Sequence, residues 1–152
     1  MRIRSLKILG CAGALALASA GAASADDAIG QVKTAKGAVS VQHQGQTLPL
    51  KIGDHVFQSD TVITAKAASV GITFTDNSMM SLGSNSKLAL KQYRFDATTH
   101  VGVFDSVLSN GTLAAKSGQI VKQTPEAMHI STPTALLGVR GTEFVVRVDG
   151  ES

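Results

Sequence analysis

The part of the chain after Asp26 contains short runs in which apolar and polar residues alternate, and no segment there keeps apolar residues at helical spacing over three turns. Alternation with a period of two is typical of a strand that buries one face. Turn-forming residues separate the runs, and Asn110-Gly111 has the composition most typical of a β-hairpin. This pattern predicts an all-β domain. Its predicted strands include residues 39–42, 61–64, 70–74, 87–91 and 142–148.

Two all-β architectures accommodate strands this short. Large side chains are scarce, because the chain has five Phe, one Tyr and no Trp, and the core of a β-sandwich usually contains more of them. Stacked coils close around Val, Ile, Leu, Met and Ala, and each coil contacts mainly its neighbours. No fixed repeat length is present, so such coils would be irregular. The composition favours an irregular β-solenoid-like roll, with a β-sandwich as the alternative.

The amino terminus has the composition of a cleavable helical signal peptide. Basic residues lie within residues 2–7, and an apolar run follows at residues 8–17. Ala23 and Ala25 precede Asp26 with the small-residue spacing that a leader peptidase recognises. The apolar run is shorter than the roughly 20 residues that a membrane span requires. We therefore predict a signal peptide at residues 1–25.

Cleavage after Ala25 would leave one domain, residues 26–152, with balanced charge. Three of the 14 basic residues lie in the predicted leader, whereas all 11 acidic residues follow Ala25. Balanced charge disfavours binding to nucleic acid or to an anionic membrane surface. The one cysteine, Cys11, would leave with the leader, so no disulfide is expected. No second long apolar segment follows, so we expect a periplasmic or secreted protein with no transmembrane segment in its mature part.

No residue pattern indicates catalysis, a cofactor or a metal site. The four histidines lack the short spacings that bring two ligands to one ion, and a set of Asp54, His55 and Asp60 is the best that can be drawn. No nucleophile elbow, phosphate-binding loop or dinucleotide fingerprint is present. We expect a protein without enzymatic activity, with no catalytic residue, no metal and no cofactor. Asp54 is expected to cap the turn that it makes with Gly53.

Residues 130–148 combine a turn, a glycine-flanked cation and a strand. Thr132-Pro133 indicates a turn, because proline restricts the residue before it. Gly138 and Gly141 flank Arg140, and both can take positive φ. The strand that follows begins with Thr142, Glu143 and Phe144.

Two roles are open for Arg140. Its guanidinium could donate to several carbonyls of the turn or pair with Glu143, and this structural role is the expected one. Alternatively, it could bind a carboxylate of a partner or an anionic ligand.

These residues carry a resemblance to a known family. The block from Gly53-Asp54 to Thr64 and the block 132–144 resemble the FecR domain, the extracytoplasmic sensor module of bacterial iron-uptake regulators and of many standalone envelope proteins. The resemblance extends over about residues 37–149. It implies an irregular β-solenoid-like roll. It also implies a periplasmic, standalone FecR-like domain without the anti-sigma segment and membrane helix of the regulators.

The resemblance implies function through binding. The first hypothesis is a non-catalytic periplasmic module that mediates protein–protein contacts in envelope sensing or signalling, with a receptor or membrane sensor as the partner. The second is a secreted or surface-associated structural β module with no regulatory role.

Two segments at the carboxyl side complete the sequence-based expectations. Residues 119–128 lack alternation and are predicted to form a surface loop. The strand at residues 142–148 is followed by a turn and by no returning strand. Either the chain is shortened at its C-terminus, or this edge strand pairs with a partner or with a second copy.

Overall fold

The structure, a computed structural model, describes residues 27–150, so the predicted signal peptide and its cleavage site lie outside the described residues. No helix within 27–150 has the length and apolar character that a membrane span requires. The described part contains strands and one short helix: β1 (Ala28–Lys36), β2 (Val39–His43), β3 (Gln46–Pro49), β4 (His55–Phe57), β5 (Thr61–Thr64), β6 (Ser69–Phe74), β7 (Met79–Leu82), β8 (Lys87–Phe95), β9 (Gly102–Lys116), α1 (Gln119–Gln123), β10 (Met128–Ser131), β11 (Leu136–Gly138) and β12 (Glu143–Val148).

All of these strands join one curled, half-barrel sheet, which confirms the all-β prediction. Its main path runs β3-β2-β5-β8-β9-β7-β6-β1-β4, and β10, β11 and β12 join through β9. Neighbouring strands are antiparallel except for β10 beside β9. The 15-residue β9 is central, because it pairs with β8 and β10 along its first half and with β7 and β12 along its second half.

The two halves of the sheet share one hydrophobic core. Buried residues alternate with more exposed ones on several strands, as on β6, where Val70, Ile72 and Phe74 are buried. Phe74 and Tyr93 each meet Phe104 edge to face, with ring centroids 4.7 Å and 4.9 Å away. Tyr93 and Phe104 are opposite each other on the neighbouring strands β8 and β9, whereas Phe74 lies on β6, which β7 separates from β9. The curl of the sheet therefore brings Phe74 onto this pair. The coil-on-coil stacking of a solenoid stays a prediction.

The predicted hairpin at Asn110-Gly111 is wrong, because both residues lie inside β9. Lys87 pairs with Asn110 whereas Leu88 pairs with Leu108, so β9 carries an extra residue at this point. Such a bulge bends a strand, and Gly111 accommodates the bend with φ of +94°. The glycine therefore lets one strand continue across both halves of the sheet.

The predicted surface loop at residues 119–128 is also wrong in its first half, which forms α1. Ile120 and Val121 are buried in the core. The N–H of Gly118 donates to Ser78 Oγ and that of Gln119 to the Asp76 carbonyl, so the turn between β6 and β7 satisfies the start of the helix. A five-residue helix is too short to show an apolar period in the sequence.

Candidate protein-binding edge

The corner that carries Arg140 connects β11 to β12 and is held by other residues. Val139 is buried, and its N–H donates to the Met128 carbonyl. The carbonyl of Gly141 accepts from Ser117 Oγ at 2.7 Å, and that of Thr142 from the Ser117 N–H at 2.9 Å. Ser117 therefore satisfies the carbonyls that Arg140 was expected to bind.

The ion-pair partner of Arg140 in the structure is not one of the expected groups. Its guanidinium pairs with Glu126, and both side chains are about three-quarters exposed. Glu143 pairs instead with Lys116, at 3.7 Å. Exposed pairs of this kind contribute little to stability. Gly141 takes positive φ, whereas Gly138 lies in β11 and does not, which corrects the expectation that both glycines do.

The other motif residues form two separate turns. In the turn between β10 and β11, the Thr132 N–H donates to the Ala135 carbonyl, and Thr132 Oγ1 accepts from the Ala135 N–H at 3.0 Å, with Pro133 between them. Before β4, the Asp54 carboxylate accepts from the Lys51 N–H at 2.8 Å, and Gly53 has φ of +92°. Both turns fix backbone geometry through local hydrogen bonds.

The strand β12 is an edge strand, and its register shows which groups face outward. Ser117 donates to the Thr142 carbonyl directly opposite it, so the next such pair towards the C-terminus is Phe144 with Ala115. In an antiparallel pair, hydrogen-bonded and non-hydrogen-bonded positions alternate. The N–H and C=O groups of Glu143, Val145 and Arg147 therefore point away from β9. No strand within residues 27–150 pairs with them.

The two faces of β12 differ in burial. Phe144, Val146 and Val148 are half-buried and pack against the core. On the opposite face, Val145 is 70% exposed and Met79 of β7 is 50% exposed. Between these two lies a shallow depression of about 480 Å³ over Ser81 and Ala114, with Lys116 and Glu143 also at its lining. The edge thus offers free main-chain groups together with apolar surface.

The histidines do not gather into a metal site in the described part of the chain. His43 Nδ1 lies 2.5 Å from the Asp60 carboxylate, which is 2% exposed and also accepts from the Phe57 N–H. Asp60 therefore pairs with His43 instead of joining Asp54 and His55. Within residues 27–150, no group of three or more His, Cys, Asp or Glu side chains could hold a metal ion.

A buried polar cluster, centred on Asp76, was missed by sequence reasoning. Asp76 is fully buried, and its carboxylate accepts from the N–H and hydroxyl of Ser78, from the Tyr93 hydroxyl and from the Ile120 N–H. Both Asp76 and Ser78 lie in the turn between β6 and β7. A polar pair in a turn gives no sign in the sequence of being buried, because its burial depends on the assembled strands and on α1.

Burial raises the pKa of Tyr93 well above its ordinary value, although a hydrogen bond from Thr75 opposes the shift. The unfolded tyrosine ionises near pH 10, whereas the folded one keeps its proton. The unfolded state then binds fewer protons, so the free energy of unfolding falls as pH rises above about 10.

We expect this fall to be steeper in the unaltered chain than in Tyr93→Phe, measured by denaturant unfolding between about pH 9 and pH 11. Tyr93 is the one tyrosine in the chain, so tyrosinate absorbance reports on it alone. The absorbance is expected to rise only when the protein unfolds. Tyrosinate formation in the folded protein near pH 10 would contradict the prediction.

Comparison with known families identifies the domain. A family model described as FecR protein matches residues 60–152, from the end of the β4–β5 turn through β12. The chain belongs to the FecR family. The match covers the Arg140 corner and the β12 edge, while Gly53 and Asp54 precede it. The match therefore confirms the resemblance to the FecR domain over the larger part of this chain.

Other comparisons add little to this FecR assignment. A solved structure described as a cell surface anchoring domain is 39% identical, over an alignment that covers 40% of this chain and 82% of that one, at a TM-score of 0.39. The search of curated proteins finds no match.

Proposed function

We propose that this FecR-family protein is a non-catalytic binding module of the bacterial envelope, which contacts its partner by strand addition at the open edge of β12. The observation that supports this most directly is the six-residue β12, with three outward-facing residues that no strand within 27–150 pairs. An added strand would gain affinity from main-chain hydrogen bonds and specificity from side chains on alternate positions.

The other edges of the described sheet are less suited to strand addition. The outer strand β3 ends in Pro49, which lacks an N–H donor. The strands β4 and β11 each have three residues. Short edge strands and prolines are common protections against unwanted pairing. The strand β12 has neither protection, so its exposure fits a binding role.

The envelope setting is supported by the family and by the predicted signal peptide. The FecR family suggests a sensing or signalling context, in which a receptor or a membrane sensor is the natural partner. A periplasmic or secreted location follows if residues 1–25 are removed on export. Backbone pairing needs no metal, cofactor or catalytic residue, which is consistent with the absence of catalytic motifs in the sequence.

Photo-crosslinking in cells that produce the protein tests this proposal. A crosslinking amino acid at Asp149, which is exposed just beyond β12, is expected to form an adduct with an envelope protein. The same amino acid at Ile52, exposed in the turn before β4, serves as the position control and is expected to form none.

A second substitution tests whether the contact is strand addition. Val145→Pro removes an outward N–H and leaves the bonds to β9 intact, so it should abolish the Asp149 adduct with little change in thermal stability. Val145→Thr keeps the N–H and the branched shape, and should retain the adduct. No adduct from position 149, or an adduct that survives Val145→Pro, would show that β12 is not the binding edge.

A further inference from the structure

We propose that the β12 edge pairs with β12 of a second copy of this chain, antiparallel and centred on Val145. This inference rests on the proposed function, because it takes the same edge as the binding site and names a second copy of this chain, in place of a receptor or membrane sensor, as its occupant. A two-fold axis through the Val145 pair places each outward residue opposite an outward residue of the second copy. Each opposed pair can then exchange two main-chain hydrogen bonds.

Charge complementarity argues for this occupant. In the pairing centred on Val145, Glu143 lies opposite Arg147 of the second copy, and Arg147 lies opposite its Glu143. Opposite charges directly across an antiparallel pair are favourable. Their present partners, Lys116 at 3.7 Å and Asp149 at 3.0 Å, are themselves exposed. Exchanging exposed partners of this kind costs little.

The same charges exclude neighbouring registers. Centring the pair on Glu143 would oppose two glutamates, and centring it on Arg147 would oppose two arginines. Like charges directly opposite each other are destabilising. A slip of the register by one residue would set each outward-facing N–H of β12 opposite an inward-facing group that already bonds to β9. Centring the pair on Phe144 keeps the outward groups opposed but sets Val145 opposite Glu143. Centring it on Val146 sets Val145 opposite Arg147 and brings Glu143 opposite Asp149. Only the register centred on Val145 keeps the outward hydrogen bonds and also places both Glu143 and Arg147 opposite a residue of opposite charge.

Apolar contacts add to the pairing on both faces. On the inner face, half-buried Phe144 would lie opposite Val146 of the second copy, which extends the cover of the core edge. On the outer face, Val145 is exposed in the monomer and would meet its own copy. Cross-strand pairs of aromatic and β-branched residues stabilise a sheet. The two-fold pairing uses up the β12 edge, so it predicts a closed dimer instead of a fibre.

Two charge-reversal variants of the full-length chain, each measured alone and then mixed, test the proposal. Glu143→Arg presents two arginines on the edge, and Arg147→Glu presents two glutamates. We expect each variant alone to dimerise about tenfold or more weakly than the unaltered chain, measured by sedimentation equilibrium. Mixed in equal amounts, the two should form a heterodimer with an affinity within about threefold of the unaltered dimer.

Val145→Pro should keep the far-ultraviolet circular dichroism of the unaltered chain. It should remain monomeric, both alone and when it is mixed with either charge variant. Thermal unfolding of each charge variant checks that the fold is retained. An unaltered chain that stays monomeric, or variants that fail to recover on mixing, would overturn the second-copy inference. If the crosslinking amino acid at position 149 then captured a different protein, and Val145→Pro abolished that adduct, the proposed function would still hold. If the unaltered chain stays monomeric and position 149 also forms no adduct, both the second-copy inference and the proposed function are overturned.

Discussion

Replacing Gly111 with alanine is expected to lower the free energy of unfolding by about 4 kcal/mol, from the combined costs of a strained backbone and an overpacked core. Gly111 has φ of +94°, which side chains rarely tolerate. An added Cβ would also lie 2.1 Å from Ser86 Oγ and 2.4 Å from Ser86 Cα. Ser86 is buried, and its Oγ accepts from the Thr112 N–H, so it cannot move aside without breaking that bond.

Gly53→Ala is the matched control for this substitution. Gly53 has φ of +92°, and no atom lies within 4 Å of the added Cβ. It should therefore show the backbone cost alone, about 1–2 kcal/mol. Denaturant unfolding of both variants measures the difference. Equal losses in the two variants would mean that the close approach to Ser86 does not constrain β9.

Asp76→Asn is expected to cost about 3 kcal/mol, because it leaves buried donors without acceptors. One carboxylate oxygen accepts from the Ser78 N–H at 3.0 Å and the Tyr93 hydroxyl at 3.2 Å. The other accepts from the Ser78 hydroxyl at 2.6 Å and the Ile120 N–H at 3.4 Å. Whichever oxygen becomes an amide nitrogen, it then faces groups that donate.

The melting temperature should fall by roughly 10 °C for a domain of this size. Amide hydrogen exchange should also speed up in α1, because Asp76 holds the start of that helix. Asp54→Asn provides the control. Asp54 is exposed and accepts from the Lys51 N–H within its own turn, so the fall in melting temperature should be much smaller for this variant. A similar loss in the two variants would argue against a special role for the buried carboxylate.

Much of the fold could be predicted from the sequence because its signals are local. Alternation at residues 70–74 and 142–148 identifies strands in which every second side chain faces the core, and the structure has strands there. The predicted strand at residues 142–148 also lies at an edge of the described sheet, where it pairs with β9 alone. The Arg140 corner was recognised by its glycines, but its partners were wrong. Ser117 and Glu126, which replace the expected groups, precede the corner by many residues and carry no local signal.

The sequence by itself determined that the domain is all-β and that residues 39–42, 61–64, 70–74, 87–91 and 142–148 contain strands, because alternation depends on residues next to one another. Only the tertiary structure decided that Asn110-Gly111 continues β9 instead of turning it, and that residues 119–123 form a buried helix. Both outcomes depend on contacts between distant residues, such as Asp76 with Ile120, 44 positions apart. Such contacts exist only once the curled sheet has brought its strands around one core.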